Sequence, residues 1–142
     1  VAAAEFAHDL ARLQRALKIA GYGEVPHVGG GVSIKETREI ERRWNACELP
    51  VLLAQPQSVA HGLNLQHGGR AVIFHSLAYN LEDYEQLIRR VWRQGQTQRV
   101  FVYHIVARDT VDEAVARALV FKARTQRRLL DALREYSLSR TF

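Results

Sequence analysis

Three side chains that can hold an anion recur within eight residues of the chain, at Gln86, Arg90 and Arg93. If Leu81 to Arg93 form a helix, the spacing i, i+4 and i+7 places all three on one face. Each guanidinium stays charged at physiological pH and offers a planar fork of donors, which suits phosphate oxygens. The spacing therefore favours an anion-binding face, and the alternative is an ordinary solvated helix face with surface arginines.

The elements that must position this face alternate between strand and helix along the chain. Apolar runs predict strands over 1–4, 24–28, 50–54, 70–75 and 99–106. Helical spacing predicts helices over 5–20, 34–45, 81–93 and 110–136, with capping boxes at Ser33 and Thr110 and a cap at Asn80. Strands that are apolar on both faces and alternate with helices indicate an α/β fold whose mostly parallel sheet is covered on two sides.

Such sheets bind ligands at the carboxyl ends of their strands. Two predicted loops lie there, residues 55–66 and 76–80, and the arginine helix begins directly after the second. The anion-binding face and these loops are therefore expected to belong to one functional region.

The composition is that of a single globular domain with a basic surface. The 142 residues are 47% apolar and 25% charged, which excludes a disordered chain. The net charge of +5 and the pI near 9.8 favour a polyanionic partner. The single cysteine, Cys47, is expected to be a buried thiol in a reducing compartment, and the absence of a targeting or membrane-spanning run favours the cytoplasm. Because methionine is absent and the chain opens in a strand-like run at Val1, it is interpreted as a fragment of a longer protein.

Three ordered motifs resemble those of a known family. They are H-G-L-N-L-Q at 61–66, Y-N at 79–80 and Q-x-x-x-R-x-x-R-x-G-Q at 86–96, followed by V-F-V-Y and D-T-V-D-E. Together they resemble the last motifs of superfamily-two helicases of the Swi/Snf-related DNA translocase type, most closely the compact relatives found in phages and prophages. The sequence departs from the family pattern at four positions, which are Gln55, Val59, Ala60 and Ser76.

The resemblance implies the second, C-terminal RecA-like lobe of a two-lobed motor that uses ATP and Mg²⁺ and moves along DNA. It implies a three-layer sandwich with a long C-terminal helix, over residues 1–136, with 137–142 as a tail. Arg90 and Arg93 would be catalytic arginines at the phosphates of ATP, and Gln86, Gly62 and Asn64 would also contact ATP. Ser58, Gln55 and Gly30 would face the nucleic acid, which could also be RNA.

The sequence lacks the other half of such a site. It contains no G-x-x-x-x-G-K-[ST] phosphate loop and no acidic magnesium motif, so the chain by itself is expected to hydrolyse no ATP. ATP and Mg²⁺ would be held mainly by a first lobe, the partner of this one. A non-catalytic nucleic-acid-binding or adaptor module on the same fold is the alternative function.

Further residues are given structural interpretations. The six histidines show no paired ligand spacing, so no metal site is expected. Trp44 and Trp92 are expected to pack in the core or an interface rather than to stack on bases. In the last helix, Val111, Val115, Ala118, Thr125, Leu129 and Leu133 form the predicted core-facing stripe. Leu119, Val120 and Phe121 are assigned to a second surface that meets the first lobe or a following segment, and the alternative is deeper burial of the helix in its own domain. The basic residues of this helix either follow a phosphate backbone or form a solvated face.

Overall fold

Five short parallel strands form one sheet in the computed structural model, which describes residues 1–59, 62–77 and 80–138, and for 127–138 the backbone alone. The strands are β1 (Ala2–Ala3), β2 (His27–Val28), β3 (Leu53–Ala54), β4 (Ala71–Phe74) and β5 (Phe101–His104). They lie in the order β2-β3-β1-β4-β5, and every pair is parallel. The predicted parallel α/β sheet is confirmed.

Four helices connect or follow these strands. They are α1 (Ala7–Leu17), α2 (Ile34–Asn45), α3 (Leu81–Val91) and α4 (Val111–Leu138). Ser33 caps α2 by accepting a hydrogen bond from the Glu36 N–H at 3.2 Å, as its spacing predicts. Asn80 caps α3 by accepting from the Glu82 N–H at 3.0 Å. These caps fix where both helices begin.

The first helix differs from its prediction at both ends. It begins at Ala7 rather than residue 5, because Phe6 has an extended backbone and a side chain that is 55% exposed. Its last turn widens into a π-helical segment, Lys18–Tyr22, in which Gly21 has a φ of 90°. Glycine adopts this left-handed conformation without a steric penalty, so the predicted stop at Gly21 is physically sound.

Helices cover both faces of the sheet, which gives the predicted three layers. On one face, Ile40 and Trp44 of α2 and Leu87 and Val91 of α3 pack with Phe74 in the main core. On the other face, α1 packs through Leu10 on Ala4 and Leu53. The core therefore lies on both sides of the central strands β1 and β3.

The prediction that both faces of every strand are buried is wrong for β4 and β5. Ile73 and Tyr103 are paired in register and are 37% and 52% exposed, and Phe101 is 42% exposed. The cause is topological, since α1 packs on β1 and β3 and leaves this face of the last two strands open. An edge strand with only one covered face cannot be recognised from an apolar run alone.

The long helix α4 rests on the start of α3 through a narrower stripe than predicted. Val115 and Leu119 are buried against Leu81, with Ala123 partly buried beside them. Val111 is 71% exposed and Thr125 is exposed, so both were wrongly placed in the core stripe, and Leu119 was wrongly placed outside it. The side chains of Leu129 and Leu133 lie outside the described residues. Two apolar stripes overlap on α4, and packing against Leu81 selects the stripe that contains Val115 and Leu119.

The turn before α4 uses a cap shifted by one residue. The Thr110 hydroxyl accepts from the Asp112 N–H at 3.3 Å, and the Glu113 carboxylate accepts from the Asp109 N–H at 3.4 Å. The predicted capping residues are thus engaged, one position from the expected pairs. None of the described helices combines the length and the apolar composition needed to cross a membrane.

Candidate functional site

A groove of about 670 Å³ opens at the carboxyl ends of β2 and β3. Gly30 follows β2, and Ser58 belongs to a 3₁₀ turn that follows β3, and both line the groove. Gln55 lies against Gly30, where an added Cβ would meet its Oε1 at 2.7 Å. The structure thus brings together the three residues predicted to face nucleic acid, and it adds Gly62. The remaining lining residues are Gly29, Gly31, Val32, Ile34, Thr37, Arg38, Glu41 and Leu63.

The close approach of the two loops depends on Gly29. Its φ is 121°, and a Cβ there would lie 2.9 Å from the Cβ of Ser58. Any side chain would therefore be strained in its backbone and would push the 3₁₀ turn away. The packing of Gly29 against Ser58 joins two loops that are far apart in the sequence, so it depends on tertiary structure.

Arg38 supplies positive charge to the groove among the described lining residues. The other charged lining residue, Glu41, accepts a hydrogen bond from the Asn64 N–H at 2.7 Å. Because this carboxylate is already engaged by the backbone, it opposes an approaching phosphate less than a free one would. The groove can therefore receive an anionic backbone, with glycine N–H groups and Arg38 at its border.

Asn64 is bound into its own loop. Its carbonyl accepts from Asn45 Nδ2 at 2.7 Å, and its side-chain Oδ1 accepts from the Gln66 N–H at 3.3 Å. Asparagine often closes a turn by such a bond two residues ahead. The loop is thereby fixed to α2, and Asn45 and Glu41 are positioning residues that were not singled out in the sequence. His61, the first residue of this motif, lies outside the described residues.

The same loop is joined to the arginine helix. The Leu65 N–H donates to the Arg90 carbonyl at 2.9 Å, and the Leu65 carbonyl accepts from Trp44 Nε1 at 3.0 Å. Trp44 is 3% exposed, which confirms its predicted place in the core. Hydrogen bonds on both sides of one residue link α2, the loop and α3 into a single structural unit.

The arginine helix is shorter than predicted. It ends at Val91, and Trp92 leaves the helix with a ψ of 87°. Gln86 and Arg90 therefore share a helix face, whereas Arg93 lies in the following turn and is exposed. The prediction that all three lie on one helix face is wrong for Arg93.

The Gln96 side chain explains where the helix stops. Its Nε2 donates to the Gln66 carbonyl at 2.6 Å and reaches the Val91 carbonyl at 3.5 Å, at the open end of α3. Gly95 has a φ of 98° in the turn between them. The G-Q pair that closes the arginine motif is thus a helix stop that also holds the loop.

Several polar and charged side chains near Arg90 pair with other residues of the same helix. Gln86 Nε2 donates to Glu82 Oε1 at 3.1 Å, and Arg89 pairs with Glu85 at 3.0 Å on the exposed side. Arg90 is half-buried, and Arg93 forms no ion pair with a described residue. The helix thus presents one guanidinium partly within the protein and one in solvent.

The arginines and the groove lie at opposite ends of the sheet. The α3 helix starts past the carboxyl end of β4 and runs back to the amino end of β5, which pairs in parallel with β4 from Ala71 and Phe101. Trp92 accordingly lines a hollow with Arg99 and Val100, just before β5. The expected single region at the carboxyl ends is therefore two regions, connected by the loop from Gly62 to Gln66.

Three other expectations concern Cys47, Trp92 and a metal site. Cys47 is exposed rather than buried, because it has a φ of 58° in the turn after α2 and points its sulfur toward the His67 carbonyl at 3.6 Å. Trp92 is 66% exposed, so it does not pack in the core, and packing in an interface stays a prediction for it. The described residues hold no group of three or more His, Cys, Asp or Glu side chains placed to share a metal ion.

A partly exposed aromatic cluster supports the junction of α3 and β5. The Tyr84 hydroxyl and His104 Nε2 are 3.0 Å apart, and both rings pack on Phe74. Partial burial lowers the pKa of His104 and raises the pKa of Tyr84, since it disfavours the charged form of each. Both groups are therefore held neutral near pH 7, which suits a structural contact.

Comparison with known proteins supplies the family. Residues 4–95 match the family described as helicase conserved C-terminal domain. The chain is 42% identical over 96 residues to putative protein p41 of Acyrthosiphon pisum secondary endosymbiont phage 1. The matched segment covers 64% of this chain and 21% of the phage protein. It is 30% identical over 105 residues to the DNA repair and recombination protein RAD54-like of Gallus gallus, over 72% of this chain and 14% of that protein.

A solved structure has the same fold. The C-terminal part of the Fun30 ATPase domain superposes with a TM-score of 0.75 at 19% identity, and covers 83% of this chain and 38% of that one. The chain thus spans about a fifth or less of the full-length relatives named above. It belongs to the helicase conserved C-terminal domain family, as a C-terminal RecA-like lobe of the superfamily-two, Swi/Snf-related type.

Proposed function

We propose that this chain is the arginine-supplying lobe of an ATP-driven DNA translocase, whose first lobe holds ATP and Mg²⁺. The observation that supports this best is the pair Arg90 and Arg93 at the end of α3, which the Leu65 and Gln66 backbone joins to the loop of the groove. Transfer of a phosphoryl group is catalysed mainly by positioning and by stabilising charge, and donors with fixed positive charge perform both tasks.

The two arginines would have different tasks. Arg90 is half-buried and has its backbone carbonyl bound to Leu65, so its position is set by the fold. Arg93 is exposed in a turn closed by the Gln96 N–H to Arg93 carbonyl bond at 3.0 Å, where it can reach a group on another domain. Arg93 is therefore the better candidate for contact with the γ-phosphate, and Arg90 for a more permanent phosphate contact. Gln86 would assist from the same helix face.

The loop from Gly62 to Gln66 would connect ATP to DNA. Its first residues line the groove that holds Gly30 and Ser58, with Gln55 behind them, and its last residues bind the arginine helix and turn. A change in the position of the arginines on ATP binding would be transmitted to the groove through this loop. The groove would then contact the DNA backbone through Ser58 and the glycine N–H groups.

The test is Arg93→Ala in the complete two-lobed protein. Removal of an arginine that stabilises the transition state costs roughly 10³ to 10⁵ in rate. We expect kcat for ATP hydrolysis to fall by that order, while ATP binding measured with a fluorescent nucleotide stays within a few-fold. The matched control is Arg89→Ala, because Arg89 is an exposed arginine of the adjoining helix α3 that pairs with Glu85.

Unchanged turnover in Arg93→Ala would refute the assignment. It would favour the non-catalytic nucleic-acid-binding or adaptor function on the same fold. An equal loss in Arg89→Ala would show that the helix had been disturbed rather than that a phosphate contact had been removed.

A further inference from the structure

Charge is segregated along α4. The acidic residues Asp112 and Glu113 lie in its first turn, and no Asp or Glu follows until Asp131. The seventeen residues between, 114–130, contain five basic residues, which are Arg117, Lys122, Arg124, Arg127 and Arg128. A solvated helix face usually mixes both signs, so this segregation itself requires an explanation.

The two acidic groups at the start of α4 are engaged with the backbone. Asp112 accepts from the Ala107 N–H at 3.2 Å, and Glu113 accepts from the Asp109 N–H at 3.4 Å. They also lie at the positive end of the helix dipole, where carboxylates are stabilised. Glu113 approaches Arg117 only to 3.9 Å, which is a weak pair between exposed groups. Arg117 is therefore weakly neutralised, and Arg124 forms no ion pair with a described residue.

The arginines face away from the protein. Val115 and Leu119 define the buried side of the helix, and Arg117 lies on the opposite side with 76% of its side chain exposed. Arg124 is seven residues on, almost two turns, so it is on the same outward side and about 10 Å farther along the axis. The two guanidiniums thus form an exposed row along one side of the helix.

We propose that the outward face of α4, through Arg117 and Arg124, binds the phosphate backbone of duplex DNA at a second surface, apart from the groove. Charge complementarity supports this occupant, since a duplex carries one negative charge per about 1.7 Å of its axis and two arginines about 10 Å apart meet separate phosphates. A straight helix fits along a rigid duplex better than around a flexible single strand. The proposal rests on the proposed function for its choice of DNA as the polyanion.

Phe121 distinguishes this surface from one that binds protein. It is 71% exposed between the two arginines, and Val120 beside it is 52% exposed. An interface with an acidic protein would be expected to bury this aromatic ring as an anchor, whereas a phosphate contact depends on the guanidiniums. A protein partner therefore predicts the larger loss of binding in the Phe121 variant, whereas DNA predicts the larger loss in the arginine variants.

The test measures binding of the 142-residue chain to a short fluorescein-labelled duplex by anisotropy, between about 50 and 200 mM salt. Each lost phosphate contact lowers the magnitude of the slope of log K against log salt by about 0.9, so Arg117→Ala with Arg124→Ala should lower it by almost 2. Affinity at the lowest salt should fall about tenfold or more. Phe121→Ala should change affinity by less than about twofold.

The matched control replaces Arg12 and Arg15, two exposed arginines of α1, with alanine. It should change the slope of log K against log salt by less than about half of the change expected for one phosphate contact. Equal losses in both double variants would mean general charge attraction and would overturn the proposal. So would a wild-type chain that does not bind the duplex, or a Phe121→Ala variant that loses as much as the arginine pair. These results leave the hydrolysis test of Arg93 unaffected, so the two ideas can fail separately.

Discussion

Trp44 connects two segments of the chain near the site through its ring. Its ring is the partner of Gly68, where an added Cβ would lie 2.2 Å from the Trp44 carbonyl and 2.5 Å from its ring. Its Nε1 donates to the carbonyl of Leu65, a residue with 0% exposure. Through these two contacts one tryptophan sets the course of the chain from the groove to β4.

Trp44→Phe should therefore lower the free energy of unfolding by about 1 to 3 kcal/mol, because it leaves a buried carbonyl without its donor. Denaturant unfolding followed by circular dichroism measures the change. The control is Trp92→Phe, since Trp92 is 66% exposed and its loss should cost less than about 0.5 kcal/mol. Equal costs would contradict the role given to the Leu65 bond.

At the scale of elements, α3 and α4 show two ways in which a helix is positioned. The α3 helix is fixed at both ends, by Asn80 at its start and by Gln96 at its stop. The α4 helix rests on the domain through the small cluster of Leu81, Val115 and Leu119. The α3 helix is therefore held in a fixed position on the sheet, whereas the position of α4 depends on few apolar contacts.

Leu119→Ala should detach α4 without unfolding the sheet. Deletion of a buried leucine side chain costs about 2 to 5 kcal/mol, which a contact of this size cannot absorb. Amide hydrogen exchange should show lost protection in residues 111–126 and unchanged protection in α2 and β4. Phe121→Ala is the control, because Phe121 is exposed, and a loss of protection there would contradict the observed orientation of the helix.

At the scale of the whole molecule, the lobe contains two separate candidate regions. The groove lies at the carboxyl ends of β2 and β3, and the arginines lie at the amino end of β5. The loop that joins them packs on α2 through Trp44 and on α3 through Arg90. Under the proposed function, a second domain would complete the nucleotide site, since arginines alone cannot hold Mg²⁺.

The chain by itself should consequently show no ATP hydrolysis above background with Mg²⁺ in a coupled phosphate-release assay. The physical reason is that the sequence has no phosphate-loop lysine and no acidic magnesium motif. Addition of the first lobe in trans, or its fusion upstream, should restore turnover that depends on Arg93. Hydrolysis by the isolated chain that persists in Arg93→Ala would contradict the proposal.

Local patterns determined much of this protein. The capping residues Ser33 and Asn80 act within four residues, so the starts of α2 and α3 follow from the sequence. The parallel sheet follows from apolar strands that alternate with helices, and the ordered motifs were enough to predict the family. These features depend on neighbours along the chain.

Tertiary structure decided what depends on distant residues. The end of α3 is set by Gln96 and Gln66, thirty residues apart, so a helix pattern that continued to Arg93 was misleading. The exposed face of β4 and β5, the exposed Cys47 and the buried stripe of α4 likewise depend on which surfaces meet. The motif spacing identifies the arginines and the glycines of the two regions. That they lie at opposite ends of the sheet follows only from the strand pairing, because the pairing sets the direction in which each helix runs.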